Sequence, residues 1–161
     1  SSTSRGLGDV YKRQVLPDMI KKKSGQIVTN TSLMGKFSSK KRSVYASAKH
    51  ALHGFIDALR AEVYEHNIKV NTVAPGYVNT EVGIKALVEN GTSYGKNDRG
   101  HDSKGMLVEK AATIIINAIQ KNKREVLVIP TFSILMVASL LSRFLPGLGA
   151  VVARNFDEDK Q

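Results

Sequence analysis

Apolar residues follow two alternating patterns along the chain, short β-branched runs and longer stretches with helical spacing. The runs at 26–31 (QIVTNT), 68–74 (IKVNTVA) and 125–129 (EVLVI) predict three buried strands. The clearest helix extends from Ser43, its expected N-cap, to about Glu65, and His66-Asn67 end it. Its apolar stripe recurs every three or four residues: Val44, Ala48, Leu52, Phe55, Ile56, Leu59 and Val63.

Further helices are predicted at 15–23 and 108–121, and a short one at 81–90. Ser24-Gly25 ends the first of these helices. The segment 91–105 is glycine-rich and polar, which favours a loop. Strands that alternate with helices predict an α/β fold with a parallel sheet. Three strands are few for such a sheet, so we expect the C-terminal portion of a larger doubly wound sheet whose N-terminal strands are missing.

Both ends of the chain differ in composition from the middle. Residues 1–14 (SSTSRGLGDVYKRQ) are polar and resemble translated sequencing-adaptor sequence, so we interpret them as non-native. Residues 15–130 form the predicted domain, and 131–161 an apolar helical extension with a polar tail. The uncharged run 126–142 has 17 residues, fewer than the ~20 that a spanning helix needs. Two interpretations of 131–153 stay open: a buried or interface helix pair, and insertion into a membrane surface.

Composition and charge exclude several classes of site. The chain has no cysteine, which rules out disulfides, thiol catalysis and cysteine-bound zinc. The net charge of +10 comes largely from short clusters of lysine and arginine. We interpret these clusters as solvated loops and helix ends. The alternative is a basic surface that contacts anionic lipid or a phosphorylated cofactor. No aromatic residues interleave with the basic ones, so nucleic-acid binding is not expected. The histidines show no metal-ligand spacing and are expected to face solvent: His50, His53, His66 and His101.

Candidate chemistry converges on one edge of the predicted sheet. Tyr45 and Lys49 are four residues apart, which places them on one helix face. A free phenol ionises only near pH ~10, and a neighbouring cation favours the phenolate, as acid-base catalysis requires. Ser32 follows the first strand, 13 residues before Tyr45, and Pro75-Gly76 ends the second strand. Because parallel strands end at the same edge, where α/β proteins bind ligands, these groups are expected to lie together.

These segments resemble the short-chain dehydrogenase/reductase family. The run 25–35 (GQIVTNTSLMG) is similar to the family's Gly-x-Ile-Val-x-x-x-Ser-x-x-Gly strand and loop. The spacing from Ser32 to Tyr45, the Tyr-x-x-x-Lys step and the Pro-Gly-x-Val-x-Thr sequence of 75–80 also match. Segments 43–63 and 70–81 further resemble the dehydrogenase/reductase member 7 subgroup, and the likeness extends over about 15–155.

The resemblance implies a Rossmann-type fold and a set of roles. Tyr45 would be the acid/base, Lys49 would assist it and bind the nicotinamide ribose, and Ser32 would orient the substrate oxygen. The nicotinamide end would be held by Pro75, Gly76, Val78 and Thr80. The implied cofactor is NADP or NAD, with NADP preferred, and no metal is expected. The substrate would be a carbonyl or alcohol, and the subgroup suggests a bulky apolar one such as a steroid, retinoid or lipid.

The chain lacks two parts of the family pattern, and this limits the activity that we expect of it. The family's glycine-rich cofactor loop and its catalytic Asn are absent from the 161 residues. We therefore expect the full-length parent to be the enzyme, as a homodimer, and this chain alone to be nearly inactive. The alternative is a catalytically dead chain that acts only in dimerisation or at a membrane surface. The subgroup suggests the endoplasmic reticulum membrane, with the cytoplasm as the alternative location.

Overall fold

The computed structural model describes residues 7–40, 42–81 and 105–130, together with 137, 144–148 and 151. In chain order the elements are α1 (Leu7–Lys22), β1 (Gly25–Asn30), a 3-10 turn (Leu33–Gly35), α2 (Ser43–Glu62), a second 3-10 turn (Tyr64–His66), β2 (Ile68–Pro75), α3 (Val108–Gln120) and β3 (Glu125–Val128). All three predicted strands and the helices predicted at 15–23, 43–65 and 108–121 are therefore present.

The three strands form a parallel sheet in the order β1-β2-β3. Gly25 is level with Ile68 at the start of β1, and Asn30 with Val73 at its end. Thr72 is level with Glu125, and Pro75 with Val128. This arrangement confirms the predicted α/β fold. Because the strands run in one direction, their carboxyl ends meet at one edge and their amino ends at the opposite edge.

Helices cover both faces of the sheet, as parallel strands require. α1 and α2 pack on one face around Ile56, Leu59 and Val63 of α2, with Ile68 and Val70 of β2. On the other face α3 contributes Ala111, which packs with Val73, Met106 and Val128. β2 lies between the other two strands and is buried along most of its length, whereas the residues of β1 alternate between half-buried and exposed.

The segment after β1 folds over the sheet beside α2. Leu33, Met34 and Phe37 are buried and pack against Ile129, which follows β3. Lys36 Nζ lies 2.7 Å from the Glu125 carboxylate at the start of β3. The carboxylate oxygen Oε1 is buried, and its contact with Lys36 is an ion pair rather than a directed hydrogen bond. This polar tie holds segment 32–37, which begins with Ser32, against the third strand.

The start of α2 differs from the prediction. Ser43 is the first helical residue and Arg42 is the N-cap, with no side-chain hydrogen bond, so the expected serine cap is wrong. The expected apolar stripe is also wrong in its first turns, because Val44 is 84% exposed whereas Ala46 is buried. Only the later part of α2 packs on the sheet. The first turns rest against segment 32–37, which approaches α2 from a different side.

The two ends of the chain were treated separately in the sequence interpretation. α1 begins at Leu7, eight residues before the predicted start, so the helix extends into the segment 1–14. Whether that segment is native stays a prediction. Few positions of the predicted extension 131–153 are described, and 137, 144, 146–148 and 151 are helical and exposed. Among the described residues, no helix combines the length and apolar character needed to cross a bilayer.

Two sequence predictions lie outside the described residues. The short helix expected at 81–90 and the loop expected at 91–105 fall almost wholly within 82–104. His101 lies in the same range.

Candidate active site

Tyr45 and Lys49 lie on one face of α2, in its first two turns. Lys49 Nζ is 5.5 Å from the centroid of the Tyr45 ring, within the range of a cation–π contact. Tyr45 is 45% exposed and Lys49 is half-buried, so a ligand can reach the phenol beside the ammonium group. The contact follows directly from the four-residue spacing on a helix.

Ser32 lies just beyond the carboxyl end of β1 and caps the first 3-10 turn. Its backbone is extended, and its Oγ accepts a hydrogen bond from the Met34 amide at 3.2 Å. The preceding Thr31 donates to the Val73 carbonyl both from its amide at 2.7 Å and from its hydroxyl at 2.9 Å. A serine hydroxyl has one proton to donate and two lone pairs. The cap uses one lone pair and leaves the proton for an oxygen of a ligand.

Gly35 allows this turn to approach α2 closely. A Cβ atom at position 35 would lie 2.7 Å from His53 Nε2 and 2.9 Å from the Lys49 carbonyl oxygen. Such distances are not tolerated without movement of the backbone, so only glycine permits this packing. Gly35 therefore brings the Ser32 turn against the helix that bears Tyr45 and Lys49.

The Pro75-Gly76 segment leaves β2 at the same edge of the sheet. The Gly76 amide donates to the Val128 carbonyl at 3.0 Å, which ties the segment to β3. Val78 pairs with Met106, and the Asn79 amide donates to the Met106 carbonyl at 2.9 Å. Thr80 follows and is exposed. The segment is held at both sides, while the hydroxyl at its end faces solvent.

His53 differs from the solvent-facing position predicted for the histidines. His50 is exposed, and its Nδ1 lies 2.9 Å from the Ala46 carbonyl, but His53 is half-buried and its Nε2 is buried without a hydrogen bond in the described structure. Burial lowers the pKa of His53 below its usual 6.5, and the charge of Lys36 lowers it further. Glu125, the backbone of Ser32 and Asp57 oppose this pKa shift more weakly. No sequence motif marked this residue; its place in the Tyr45–Lys49 stripe, four residues further along, was the only available signal.

Comparison with known proteins places this chain in a family. The family model described as short chain dehydrogenase matches residues 10–90, half of the chain. A mosquito protein, "Dehydrogenase/reductase SDR family protein 7-like" of Anopheles gambiae, is 42% identical over 115 residues, which are 71% of this chain and 36% of that protein. The mouse "Dehydrogenase/reductase SDR family member 7B" is 36% identical over 136 residues, or 84% of this chain and 41% of the relative. The chain therefore belongs to the short-chain dehydrogenase/reductase family.

Solved structures show the same fold. A short-chain dehydrogenase of Burkholderia cenocepacia in complex with NADP superposes with a TM-score of 0.64 at 18% identity, over 88% of this chain and 51% of that one. A Burkholderia phymatum family member in complex with NAD has a TM-score of 0.66 at 18% identity, over 85% and 53%. These likenesses confirm the Rossmann-type fold. The chain spans about two fifths of the length of the curated relatives it matches and about half of these structures.

Proposed function

We propose that the protein to which this chain belongs is a nicotinamide-dependent oxidoreductase that interconverts a carbonyl and an alcohol. The observation that carries the proposal is the contact of the Lys49 ammonium group with the exposed Tyr45 ring, on the helix that packs against the turn beginning at Ser32. Family membership and the cofactor-bound structural neighbours support the same conclusion.

Tyr45 is the proposed acid/base. In the direction of reduction its phenol gives a proton to the substrate oxygen, and in oxidation its phenolate accepts that proton. The Lys49 ammonium group beside the ring stabilises the phenolate. The Ser32 hydroxyl accepts from the Met34 amide and donates its proton to the same substrate oxygen, which orients the substrate and stabilises negative charge on that oxygen.

The residues at this edge fit a nicotinamide cofactor. Lys49 offers up to three N–H donors to ribose hydroxyls, and the Thr80 hydroxyl is exposed beside the tethered 75–79 segment. Pro75, Gly76 and Val78 would form the backbone wall that holds the nicotinamide end. When bound, the cofactor supplies the hydride-transfer chemistry. The preference for NADP over NAD is carried by resemblance alone.

The proposed substrate is a small-molecule carbonyl or alcohol whose remaining structure is bulky and apolar. This substrate class rests on the resemblance to the subgroup.

The exposed small residues of α2 support the proposed homodimer, because they leave a flat face on the helix that bears Tyr45. This face includes Ala48, Ala51, Ala58 and Ala61, and nothing lies within 4 Å of a Cβ added at Gly54. Membrane contact through 131–153 and residence at the endoplasmic reticulum stay proposals of the same kind.

The test is an assay of the full-length reading frame that contains this chain, with NADPH and NADH on a panel of apolar ketones, aldehydes and alcohols. Tyr45→Phe is expected to lower turnover about 10²- to 10⁴-fold, because proton transfer is lost while the ring is kept. Tyr64→Phe is the matched control, since Tyr64 is exposed after α2 and away from the site.

Turnover that is indifferent to Tyr45→Phe would contradict the acid/base assignment. No turnover on any member of the panel would favour the alternative, a chain that acts only by association. The 161 residues alone are expected to show little activity, because they carry no glycine-rich cofactor loop. Measurable turnover by this chain alone would contradict that expectation.

A further inference from the structure

His53 lies where three elements meet, and the chemistry proposed above does not use it. It is on α2, four residues beyond Lys49, and its ring faces the first 3-10 turn at Gly35. The Lys36–Glu125 ion pair joins that turn to β3 in the same region. The half-buried His53 ring therefore lies on α2 against the turn that begins at Ser32, near enough to Glu125 of β3 to be affected by its charge.

The His53 ring lies so close to Gly35 that it restrains the position of the first 3-10 turn. Because an added Cβ at Gly35 would meet the ring itself, the His53 ring limits how far the turn can move toward α2. Ser32 Oγ is held by the amide of Met34, inside the same turn. A displacement of the ring would remove one of the two contacts that hold Gly35 in place, the other being the Lys49 carbonyl oxygen, and would leave the turn that bears Ser32 less restrained.

Burial of the His53 ring, and after it the charge of Lys36, lower the pKa of His53 and favour a neutral ring. Lys36 already pairs with the Glu125 carboxylate, so an imidazolium would compete with Lys36 for that partner. The other acidic group that acts on His53 is Asp57, which is engaged by Arg60 and Arg124. Nε2 is buried and has no acceptor of its own among the described residues. The backbone of Ser32 gives the ring one hydrogen bond that favours the charged form, but burial outweighs it, so protonation favours a more exposed position of the ring.

We propose that His53 is a positioning residue for Ser32: its neutral ring supports the Ser32–Gly35 turn, and protonation of the ring releases that turn. This proposal rests on the proposed function for its effect on catalysis, but the coupling of His53 to the turn is a property of the fold. It predicts that acid weakens turnover through the geometry of Ser32 rather than through Tyr45.

The kinetic test compares pH profiles of full-length wild-type protein, His53→Gln and His50→Gln. Because the pKa of His53 is lowered, wild-type kcat is expected to decline at pH values below 6.5 by up to about tenfold and then to level off, since the decline reflects lost support of Ser32 and not loss of the acid/base. The KM for the cofactor is expected to stay constant. His53→Gln removes the ionisable ring, so this decline disappears, at a neutral-pH cost of no more than about tenfold in kcat. His50→Gln, on the same helix but exposed, keeps the wild-type profile.

An acid decline that persists in His53→Gln, or that His50→Gln also removes, would overturn the proposal. So would a decline carried entirely by the KM for the cofactor. A folded-state check by thermal unfolding across the same pH range separates loss of positioning from loss of structure.

A second measurement needs no activity. In NMR titrations of the full-length protein, the amide signals of Ser32, Met34 and Gly35 are expected to shift with the same midpoint as the His53 ring. In His53→Gln these amide shifts should be absent. Amides that ignore the His53 titration would overturn the inference even if carbonyl turnover is found. Coupled titration without any turnover would support the inference and contradict the proposed function.

Discussion

The two edges of the sheet are built from similar connections but use their polar groups in opposite ways. At the amino edge, the turn before each strand contains a residue with left-handed backbone: Lys23 (φ 47°), Asn67 (φ 55°) and Asn122 (φ 48°). These are the only non-glycine residues with positive φ in the described structure. At the carboxyl edge, Ser32 has an extended backbone and is half-buried, and Tyr45 and Thr80 are exposed.

Side-chain amides tie the amino edge together. Asn67 Nδ2 donates to the Lys23 carbonyl at 3.2 Å, and Asn71 Nδ2 donates to the Lys123 carbonyl at 2.7 Å. Gln26 Nε2 in turn donates to Asn71 Oδ1 at 2.7 Å. The amino edge satisfies its hydrogen bonds internally and so contributes to stability. In the part of the chain that the structure describes, the carboxyl edge instead exposes Tyr45 and Thr80, which suits the proposed binding site.

The largest expected difference between the edges concerns two lysines. Lys49→Met at the carboxyl edge is expected to lower turnover of the full-length protein by about 10²- to 10⁴-fold, because the phenolate of Tyr45 loses its neighbouring cation. Lys69→Met at the amino edge, where Lys69 is exposed on β2, should leave turnover unchanged. Steady-state kinetics with the best substrate of the panel would check both. Equal effects of the two substitutions would remove the functional contrast between the edges.

The next effect concerns Asn71, which is 2% exposed at the centre of the amino-edge network. Asn71→Leu deprives the Lys123 carbonyl of this donor and the Gln26 amide of one of its two acceptors, and is expected to lower the free energy of unfolding by about 2–4 kcal/mol. Asn117→Leu, on the exposed side of α3, is the matched control, with an expected change within about 0.5 kcal/mol. Urea unfolding measures both. A small loss for Asn71→Leu would mean that water replaces the network.

A smaller effect of opposite sign is expected at Lys23. Its left-handed backbone costs a residue with a side chain about 1–2 kcal/mol, whereas glycine adopts it freely. After the entropy cost of glycine, Lys23→Gly is expected to raise the free energy of unfolding by about 0.5–1 kcal/mol. Lys21→Gly, within the last turn of α1, should lower it by a similar amount. Thermal unfolding would compare the two, and destabilisation by both would show that the Lys23 side chain itself is needed.

The smallest expected effect is at Asp57, where α2 meets Arg124 beside the amino edge. Burial alone would raise the pKa of the Asp57 carboxyl, but hydrogen bonds from Arg124 and Arg60 outweigh it and bring the pKa below 3.8. A lowered pKa stabilises the folded state above pH 3.8, and this contribution is lost as the pH falls through the folded-state pKa. Because the side chain is 59% exposed, Asp57→Asn should cost only about 0.5 kcal/mol at neutral pH.

The check is a pair of unfolding curves at each pH. The difference between wild type and Asp57→Asn should shrink below pH 3.8 and with added salt. A difference that is independent of pH would show that Asp57 acts by packing rather than by charge.

Much of the fold and the pairing of Tyr45 with Lys49 could be read from the chain, because both depend on local periodicity. Strand and helix alternation predicts a parallel sheet, and a four-residue step on a helix places two side chains on one face. The convergence of Ser32 and Pro75-Gly76 at one edge followed from the shared direction of parallel strands. The roles of these residues stay proposals that the kinetic tests address.

Only the tertiary structure decided which side chains support that edge. His53 was expected in solvent, yet its ring lies against Gly35, because segment 32–37 folds over β3 and encloses it. Val44 belonged to the predicted apolar stripe but is exposed, whereas Ala46, outside that stripe, is buried. The first turns of α2 lie against segment 32–37 and not on the sheet. Asn71 was predicted only as a strand residue, but its side chain links Gln26 of β1 to the turn before β3, both more than forty positions from it in sequence. Periodicity encodes which face a residue occupies, whereas contacts between distant segments depend on the path of the chain in space.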